Sequence, residues 1–255
     1  MKLFDFRDQV VVVTGASRGI GFTLARSFST LGAKVVVLGR NASTIQQAAN
    51  DIQSETANET LGLVCDVTDE QQIERMTEEV IKRFGKIDVL VNNAGATVRK
   101  TLDHLEQEEW EKIMKTNVTS VFLTTKVVAR KMKEARYGRI INIASMSSEI
   151  TLSFSTAYGP SKAAVVHFTK QTASELAPYD ITVNAVSPGF VKTSLNAKAL
   201  EDDEFRRPIE NRNSMRRIGT IDEIITPVVF FAAKGSSYVT GQNLLVDGGT
   251  TSFGF

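Results

Sequence analysis

Residues 14–21 read TGASRGIG, and the glycines at positions 15, 19 and 21 follow the apolar run Val10–Val13. The next segment, FTLARSFSTLG, has the apolar spacing of an amphipathic helix. Glycines allow a tight turn and a close approach to phosphate, and a helix N-terminus offers unpaired N–H groups and partial positive charge. The stretch therefore predicts a nucleotide site at a strand–helix turn, with a plain turn as the alternative. It is not a P-loop, because no Gly-Lys-Ser/Thr follows.

Short apolar runs alternate with longer helical patterns along the whole chain. Most runs are apolar throughout, as in parallel strands that are covered on both faces. We therefore expect an α/β protein: a single-domain Rossmann fold over residues 1–255, with a doubly wound, seven-stranded parallel sheet and helices on both faces. The predicted strands are Val10–Thr14, Lys34–Leu38, Leu61–Cys65, Val89–Asn92, Ile140–Ile143, Thr182–Val186 and Leu244–Val246.

The composition argues against several classes of function. The formal net charge is +1, so neither nucleic acid nor an anionic membrane is expected as a partner. Cys65 is the only cysteine, which excludes an intrachain disulfide, and no apolar run approaches the ~20 residues of a membrane span. His104 and His167 lack partners at metal-ligand spacing, so no metal site is expected. From these absences we expect a cytoplasmic protein.

Residues 190–217 are polar and contain no predicted strand, which interrupts the alternation late in the chain. Long insertions of this kind often form a mobile lid over a pocket. A solvated surface excursion fits the pattern equally well, and the charge run at 201–207 favours a solvated helix face. The sequence alone leaves both interpretations open.

Two arginines bear on the choice of dinucleotide. The second predicted strand runs into Gly39, Arg40 and Asn41, where NAD sites usually carry an acid for the ribose 2′-hydroxyl. A 2′-phosphate needs cationic, forked donors such as arginine, and Arg18 in the glycine loop would reach the same phosphate. We therefore expect NADP(H) to be preferred, with NAD(H) as the alternative. Two solvated surface arginines would give the same sequence.

The segment 158–162, YGPSK, places a tyrosine and a lysine four residues apart. On a helix these positions share a face, and a nearby ammonium lowers the pKa of a phenol from about 10. Tyr158 and Lys162 can therefore donate and accept a proton near neutral pH. Pro160 lacks a backbone donor, which costs little only in a first turn, so we expect the helix to begin near 155–157.

Taken in order, these motifs resemble the short-chain dehydrogenase/reductase family over nearly the whole chain. TGASRGIG matches its cofactor loop, CDV at 65–67 its adenine-contacting segment and NNAG at 92–95 its motif after the fourth strand. Further matches are KTNVTSVF with Asn117, NIASMSS with Ser145, YGPSK with Tyr158 and Lys162, SPGFVKT at 187–193 and the closing GQNLLVDGG. No G-x-S-x-G elbow or Cys/His pair points to hydrolysis.

The resemblance implies a reversible exchange between a ketone and a secondary alcohol, with the hydride carried by the cofactor. Tyr158 would be the general acid/base, and Lys162 would lower its pKa and hold the nicotinamide ribose. Ser145 would hydrogen-bond the substrate oxygen, and Asn117 would support a water near Lys162. Members of this family are commonly tetrameric, so a homotetramer or homodimer is expected.

The resemblance also implies the cofactor contacts. Asp66 would accept a hydrogen bond from the adenine amine, and the segment 188–193 would bracket the nicotinamide amide and the phosphates. The residues expected to contact the cofactor are Gly15, Ser17, Arg18, Gly19, Ile20, Gly21, Arg40, Asn41, Asp66, Val67, Asn92, Ala94, Gly95, Tyr158, Lys162, Pro188, Gly189, Val191 and Thr193.

The substrate pocket is expected to draw on residues 96–100, 146–151 and 190–217, which carry several polar groups. NIASMSSE, with LFDF near the start, resembles sugar-acid dehydrogenases such as gluconate 5-dehydrogenase, so we expect a small polar ketone or sugar acid. The alternative is a 3-oxoacyl-acyl-carrier-protein reductase. Those enzymes carry a docking basic residue where this chain has Tyr179 and Asp180, although Arg136 matches their other docking arginine. A non-catalytic regulatory protein is a third interpretation, but all four catalytic residues are present.

Overall fold

The structure is a computed structural model and describes residues 4–193 and 196–252. Within these ranges, strands and helices alternate along the chain. The strands are β1 (Val10–Thr14), β2 (Lys34–Gly39), β3 (Thr60–Val64), β4 (Val89–Asn92), β5 (Gly138–Ile143), β6 (Ile181–Pro188) and β7 (Asn243–Val246). The α-helices are α1 (Gly19–Thr30), α2 (Ala42–Thr56), α3 (Glu70–Phe84), α4 (Gln107–Met114), α5 (Ser120–Ala135), α6 (Tyr158–Leu176), α7 (Asp203–Asn211) and α8 (Asp222–Ala232).

The described strands form one parallel sheet in the order β3-β2-β1-β4-β5-β6-β7. β1 lies between β2 and β4, with Val12 opposite Val36 and Leu90. Chain order reverses at this point, and open α/β sheets bind ligands in the crevice outside the carboxyl ends of the strands there. The predicted Rossmann fold is confirmed, and the predicted functional motifs follow β1, β4, β5 and β6 at that edge.

Apolar side chains cover both faces of the sheet. On one face α1 and α8 bury residues that include Leu24 and Phe28, both fully excluded from solvent. On the other face α3, α5 and α6 contribute a second cluster that includes Met132 and Leu176. Each fully buried side chain of this size contributes about 1.5–3 kcal/mol. The two-sided burial explains why the strands are apolar throughout.

Particular side chains determine where the helices begin and end. Asp69 accepts hydrogen bonds from the backbone N–H groups of Gln71 and Gln72, at 2.9 and 3.2 Å, and so caps α3. Gly85 follows that helix with φ +80°, a conformation that favours glycine. Pro160 falls in the first turn of α6, which has Ala157 as its N-cap, so the predicted start of this helix is confirmed.

Strand ends differ by a few residues from those predicted. β5 begins two residues earlier, because Gly138 pairs with Ile181, and β6 continues to Pro188, which pairs with Val246. These bounds depend on hydrogen-bonded neighbours that an apolar run does not reveal. Within residues 190–217 no described residue belongs to a named strand, as predicted. Positions 194 and 195 of that segment lie outside the described residues. α7 buries none of its side chains, which matches the predicted solvated helix.

Among the described helices, none combines the length and the apolar character needed to cross a membrane.

Candidate active site

The glycine loop joins β1 to α1 at the switch point of the sheet. Gly15 and Gly19 have φ of +63° and +59°, in the left-handed region that favours glycine. A Cβ at Gly19 would meet nothing within 4 Å, whereas a Cβ at Gly21 would overlap the amide of Asn93. The loop therefore needs glycine for its conformation at two positions and for close packing at the third.

A hydrogen-bonded brace from β4 holds this loop. The Asn93 amide donates to the carbonyls of Thr14 and Gly15 at 2.9 and 3.1 Å. The Thr14 hydroxyl accepts from the backbone N–H groups of Asn93 and Ala94, both at 2.9 Å. Neither Thr14 nor the Asn93 side chain is among the residues predicted from the sequence. Thr14, the polar residue that ends the apolar run of β1, is the feature of the sequence from which these hydrogen bonds could have been predicted.

The start of α1 is open to an anion. Arg18 occupies its N-cap position without a capping side-chain bond, and the first turn, which includes Ile20, holds no acid. Arg18 and Arg40 are exposed, and neither forms an ion pair with another described residue. A cleft of about 550 Å³ opens beside Arg18 and Ser17 and continues along the first turns of α2. The glycine loop, the helix N-terminus and the two arginines fit the phosphates of a dinucleotide.

Two further predicted cofactor residues already have partners within the chain. Asn41 caps α2, where its Oδ1 accepts from the Thr44 N–H at 3.0 Å. Asp66 accepts through one carboxylate oxygen from both the backbone N–H and the hydroxyl of Thr68, at 2.9 Å each. The other oxygen of Asp66 bonds to no described residue, so it stays open to a ligand, and Val67 beside it is buried.

Asn92 differs most from its predicted role. Its side chain is buried, and its Nδ2 donates to Thr125 and Asn142 at 3.1 and 2.9 Å. Its Oδ1 accepts from the Thr124 hydroxyl at 2.6 Å. The amide therefore ties β4 to β5 and α5 inside the protein and is not free to line a ribose. The neighbouring Ala94 and Gly95 remain near the loop and near Lys162.

The first turn of α6 brings the predicted catalytic residues together. Lys162 is buried, and its Nζ donates to the Ile143 carbonyl at 2.8 Å and lies 5.6 Å from the centroid of the Tyr158 ring. Ser145, which follows β5, hydrogen-bonds the Tyr158 hydroxyl. The Oγ of Ser145 also accepts from the Ser147 N–H at 3.2 Å. Because Ser145 accepts from Ser147, its own proton is available to the Tyr158 oxygen.

Burial dominates the ionisation of both groups on α6. It raises the pKa of Tyr158, and the hydrogen bond from Ser145 opposes that rise only partly. Burial also lowers the pKa of Lys162 to about 8. In the protein chain alone, the effect of burial outweighs any lowering of the Tyr158 pKa by Lys162, so the predicted net decrease is not seen. Spacing placed the ammonium correctly, but it could not show that packing removes much of the phenol from water.

Asn117 lies in a π-helical turn, Lys115–Thr119, between α4 and α5. Its side chain is fully buried and pairs with the Ala96 backbone: Oδ1 accepts from the N–H at 2.7 Å and Nδ2 donates to the carbonyl at 2.9 Å. The second Nδ2 proton goes to the Ser161 hydroxyl at 2.9 Å. π-turns inside α-helices occur often at functional sites. Neither this turn nor Ser161, which donates to the Tyr158 carbonyl at 2.7 Å, was singled out from the sequence.

The segment after β6 closes the other side of the crevice. A Cβ at Gly189 would lie 2.7 Å from the Asp247 Cα, so this glycine is required for close packing. Val191 is buried and bridges to Gly219. The backbone N–H of Thr193 donates to Asn196 at 2.7 Å. With Pro188 ending β6, the predicted nicotinamide-side residues lie at the carboxyl edge of the sheet.

Comparison with known proteins agrees with this arrangement. Residues 15–251 match a family described as enoyl-(acyl carrier protein) reductase. Gluconate 5-dehydrogenase of Gluconobacter oxydans is 35% identical over 249 residues, 98% of this chain and 97% of the relative. The 3-oxoacyl-[acyl-carrier-protein] reductase of Escherichia coli is 38% identical over 245 residues, 96% of this chain and 98% of the relative.

A solved structure extends the comparison to three dimensions. The gluconate 5-dehydrogenase of Burkholderia cenocepacia, in complex with NADP and tartrate, is 35% identical and has a TM-score of 0.94, covering 99% of this chain and 98% of that one. Sheet order, glycine loop and the Tyr158–Lys162 turn thus occur in a chain whose relatives are oxidoreductases acting on alcohol and carbonyl groups. This protein belongs to the short-chain dehydrogenase/reductase family.

Proposed function

We propose that the protein is an NADP(H)-preferring oxidoreductase that interconverts a small polar ketone, such as a sugar acid, and the matching secondary alcohol. The observation that carries this proposal is the cluster of Tyr158, Lys162 and Ser145 at the carboxyl edge of the sheet, beside the open start of α1. A dinucleotide, when bound, supplies or accepts the hydride. The chain itself must hold that dinucleotide, orient the substrate and move one proton.

The proton passes through Tyr158. In reduction its hydroxyl gives a proton to the substrate oxygen, and in oxidation the phenolate takes one back. When substrate is bound, Ser145 turns its proton from Tyr158 to the same oxygen and stabilises the charge that develops there. Lys162 holds the ribose of the dinucleotide and, when charged, favours the phenolate. Asn117 fixes the loop at Ala96 and, as the family resemblance implies, would support a water beside Lys162.

The preference for NADP(H) rests on Arg18 and Arg40. Both side chains are exposed, Arg18 lines the cleft at the start of α2, and among the described residues neither has an acidic partner. No acid follows β2 at this point to accept from a ribose 2′-hydroxyl. A 2′-phosphate would give both guanidinium groups a charged acceptor, and hydrogen bonds to charged groups contribute about 1.5–3 kcal/mol each.

Fluorescence titration of NADPH and NADH tests this preference. We expect tighter binding of NADPH, and a loss of about tenfold or more in NADPH affinity for Arg40→Ala with little change for NADH. Arg26→Ala, on α1 but facing Glu55, is the matched control and should bind as the parent does. Equal dissociation constants for the two dinucleotides would contradict the preference.

The substrate class is argued from Arg99, in the loop after β4. That loop reaches the active site, because Lys100 bridges to Ser155, three residues before Tyr158. Lys100 itself is paired with Glu109 at 2.9 Å, but the described residues provide no carboxylate partner for Arg99. The Arg99 guanidinium lies 5.4 Å from the centroid of the Phe205 ring on α7. We infer that it meets the carboxylate of a sugar acid under a lid formed by residues 190–193 and 196–217.

A spectrophotometric panel with NADPH tests the substrate class. We expect turnover of 5-ketogluconate, and Arg99→Ala should raise its KM about tenfold or more while leaving the KM of an uncharged ketone unchanged. Activity on an acetoacetyl thioester alone would contradict the assignment. Absence of any NADPH turnover would favour a regulatory, non-catalytic protein.

The acyl-carrier reductase is the second candidate, because Arg136 lies where such enzymes carry a docking arginine. Its guanidinium is exposed but donates to the Pro178 carbonyl at 2.9 Å. The neighbouring Asp180 places a negative charge where the second basic residue is found in those enzymes. An acidic carrier protein would be repelled there, so this candidate is less favoured.

We further propose that the protein assembles as a homotetramer or homodimer through α5 and α6. Phe122 on α5 is 46% exposed although it is a large apolar side chain, and it contacts Phe168 on α6 with ring centroids 6.4 Å apart. A second copy packed on these helices would cover both rings.

A further inference from the structure

The two ends of the lid, defined above as residues 190–193 and 196–217, are attached to the protein body. Its base is closed by backbone bonds: Lys192 N–H donates to the Gly219 carbonyl at 2.9 Å, and Gly219 N–H donates to the Phe190 carbonyl at 3.0 Å. These bonds hold the lid's entry and exit side by side. They do not by themselves fix the direction in which the chain returns from α7.

Asn213 supplies a second attachment, two residues after α7. Its side chain is only 6% exposed, whereas its neighbours Asn211 and Ser214 are exposed. Nδ2 donates to the Asp247 carbonyl at 2.8 Å and to the Thr250 hydroxyl at 3.1 Å. Oδ1 accepts from the Met215 N–H at 2.8 Å. Both ends of the amide are therefore satisfied inside the protein.

The turn after β7 is shaped to receive this part of the lid. Gly248 has φ +61°, and a Cβ there would lie 2.6 Å from the Asn213 Nδ2. Backbone bonds add to the contact, because the Met215 N–H donates to the Gly248 carbonyl at 3.1 Å. The carboxylate of Asp247 in turn accepts from the Gly249 N–H at 3.0 Å and stiffens the turn.

The same turn touches the segment expected to meet the nicotinamide. The Asp247 Cα leaves no room for a Cβ at Gly189, as described above. A contact path therefore runs from Asn213 through the 247–250 turn to the residues after β6. By contrast, α7 between the two attachments buries no side chain, and its described aromatic contact with the body is Phe205 on Arg99.

We propose that Asn213 is a positioning residue for the substrate, which pins the exit of the lid to the turn after β7 and so sets where α7 lies over the pocket. The proposal rests on the proposed function, in which this lid covers the substrate. With the exit pinned, α7 closes towards Arg99 from a fixed point. Without the Asn213 hydrogen bonds, α7 and the substrate-facing groups of the lid occupy several positions, so substrate binding weakens. The proton transfer at Tyr158 is unaffected.

The test compares Asn213→Ala and Asn213→Asp with Asn211→Ala, a matched control two residues away on the exposed end of α7. The full-length enzyme is assayed with NADPH and 5-ketogluconate, or with the acetoacetyl thioester if the panel selects it. Loss of the buried donor in either Asn213 variant should raise KM about tenfold, with kcat within about twofold and an unchanged NADPH dissociation constant. Backbone amides of 199–211 should exchange faster with deuterium, and the control should match the parent.

An unchanged KM in both Asn213 variants would overturn the proposal. A raised KM accompanied by a large fall in kcat and in NADPH affinity would also overturn it, because a purely structural residue would cause that combination. Phe205→Ala separates this failure from failure of the lid itself. If Phe205→Ala raises KM and Asn213→Ala leaves it at the parental value, the lid contributes to substrate binding but Asn213 does not position it. Parental KM values for both variants would contradict the role of the lid in substrate binding as well.

Discussion

At Tyr158 the position that suits catalysis also opposes ionisation. Burial holds the phenol beside Ser145 and raises its pKa, and burial also lowers the pKa of Lys162 to about 8. A raised phenol pKa keeps the proton on Tyr158 through the neutral range, which suits reduction. Oxidation needs the phenolate, so we expect its rate to rise with pH through the alkaline range.

The lowered pKa of Lys162 should make the stability of the fold depend on pH. Its pKa lies near 8 in the folded protein and near 10.5 when unfolded, so between these values the unfolded chain binds more protons. The free energy of unfolding should therefore rise with pH across that window, and the cost of burying the charge, about 3 kcal/mol, is fully present below pH 8.

Lys162→Met should remove that cost. We expect a higher Tm at pH 7 and no rise attributable to this residue between pH 8 and 10.5, measured by thermal unfolding at several pH values. Lys170→Met, on the exposed side of the same helix, is the control. Parallel pH curves for the parent and Lys162→Met would contradict the interpretation.

The sequence indicates these residues but not their surroundings. The spacing of YGPSK put Tyr158 and Lys162 on one face, and Pro160 located the start of the helix. The loss of water around the phenol depends on β5 and α6 packing together, which no local pattern encodes. The buried hydrogen bonds of the Asn92 side chain were not predicted for the same reason, because its partners on β5 and α5 are distant in sequence.

At the scale of the element, the glycine loop is held by close packing as well as by glycine conformations. Gly21→Ala would place a methyl group against the Asn93 amide that braces the loop. We expect a loss of about 1–3 kcal/mol in stability and weaker NADPH binding, measured by chemical unfolding and fluorescence titration. Gly235→Ala, where a Cβ would meet nothing within 4 Å, should change neither. Parental affinity in Gly21→Ala would show that the brace is dispensable.

Element boundaries were predictable where a residue imposes them. Asp69 and Gly85 delimit α3, and both are visible in the sequence. The π-turn at Lys115–Thr119 was not predicted, because a single wide turn between two helical patterns leaves the apolar spacing almost unchanged. Its role becomes clear only from the structure, in which the turn directs the Asn117 side chain into hydrogen bonds with Ala96 and Ser161.

At the scale of the whole molecule, strand order carries the function. The parallel sheet gathers segments from four distant parts of the chain at one edge, and the sequence predicted this from the alternation of strands and helices. Quaternary structure cannot be read that way, since apolar residues on α5 and α6 serve a core or an interface equally well.

Light scattering coupled to size exclusion tests the proposed assembly. We expect a mass of two or four times 28.0 kDa for the parent. Phe122→Asp should shift it towards the monomer, because the charge would lose its water in the interface. Leu102→Asp, at a side chain that is already 77% exposed, is the control. A monomeric parent would contradict the assembly.

The central claim is that Tyr158 moves the proton, and turnover of Tyr158→Phe tests it most directly. The variant keeps the ring and loses only the hydroxyl. Assayed with NADPH and the best ketone of the panel, it should lose about 10²–10⁴-fold in kcat while its NADPH dissociation constant stays at the parental value. Turnover within a fewfold of the parent, with dinucleotide binding intact, would contradict the account.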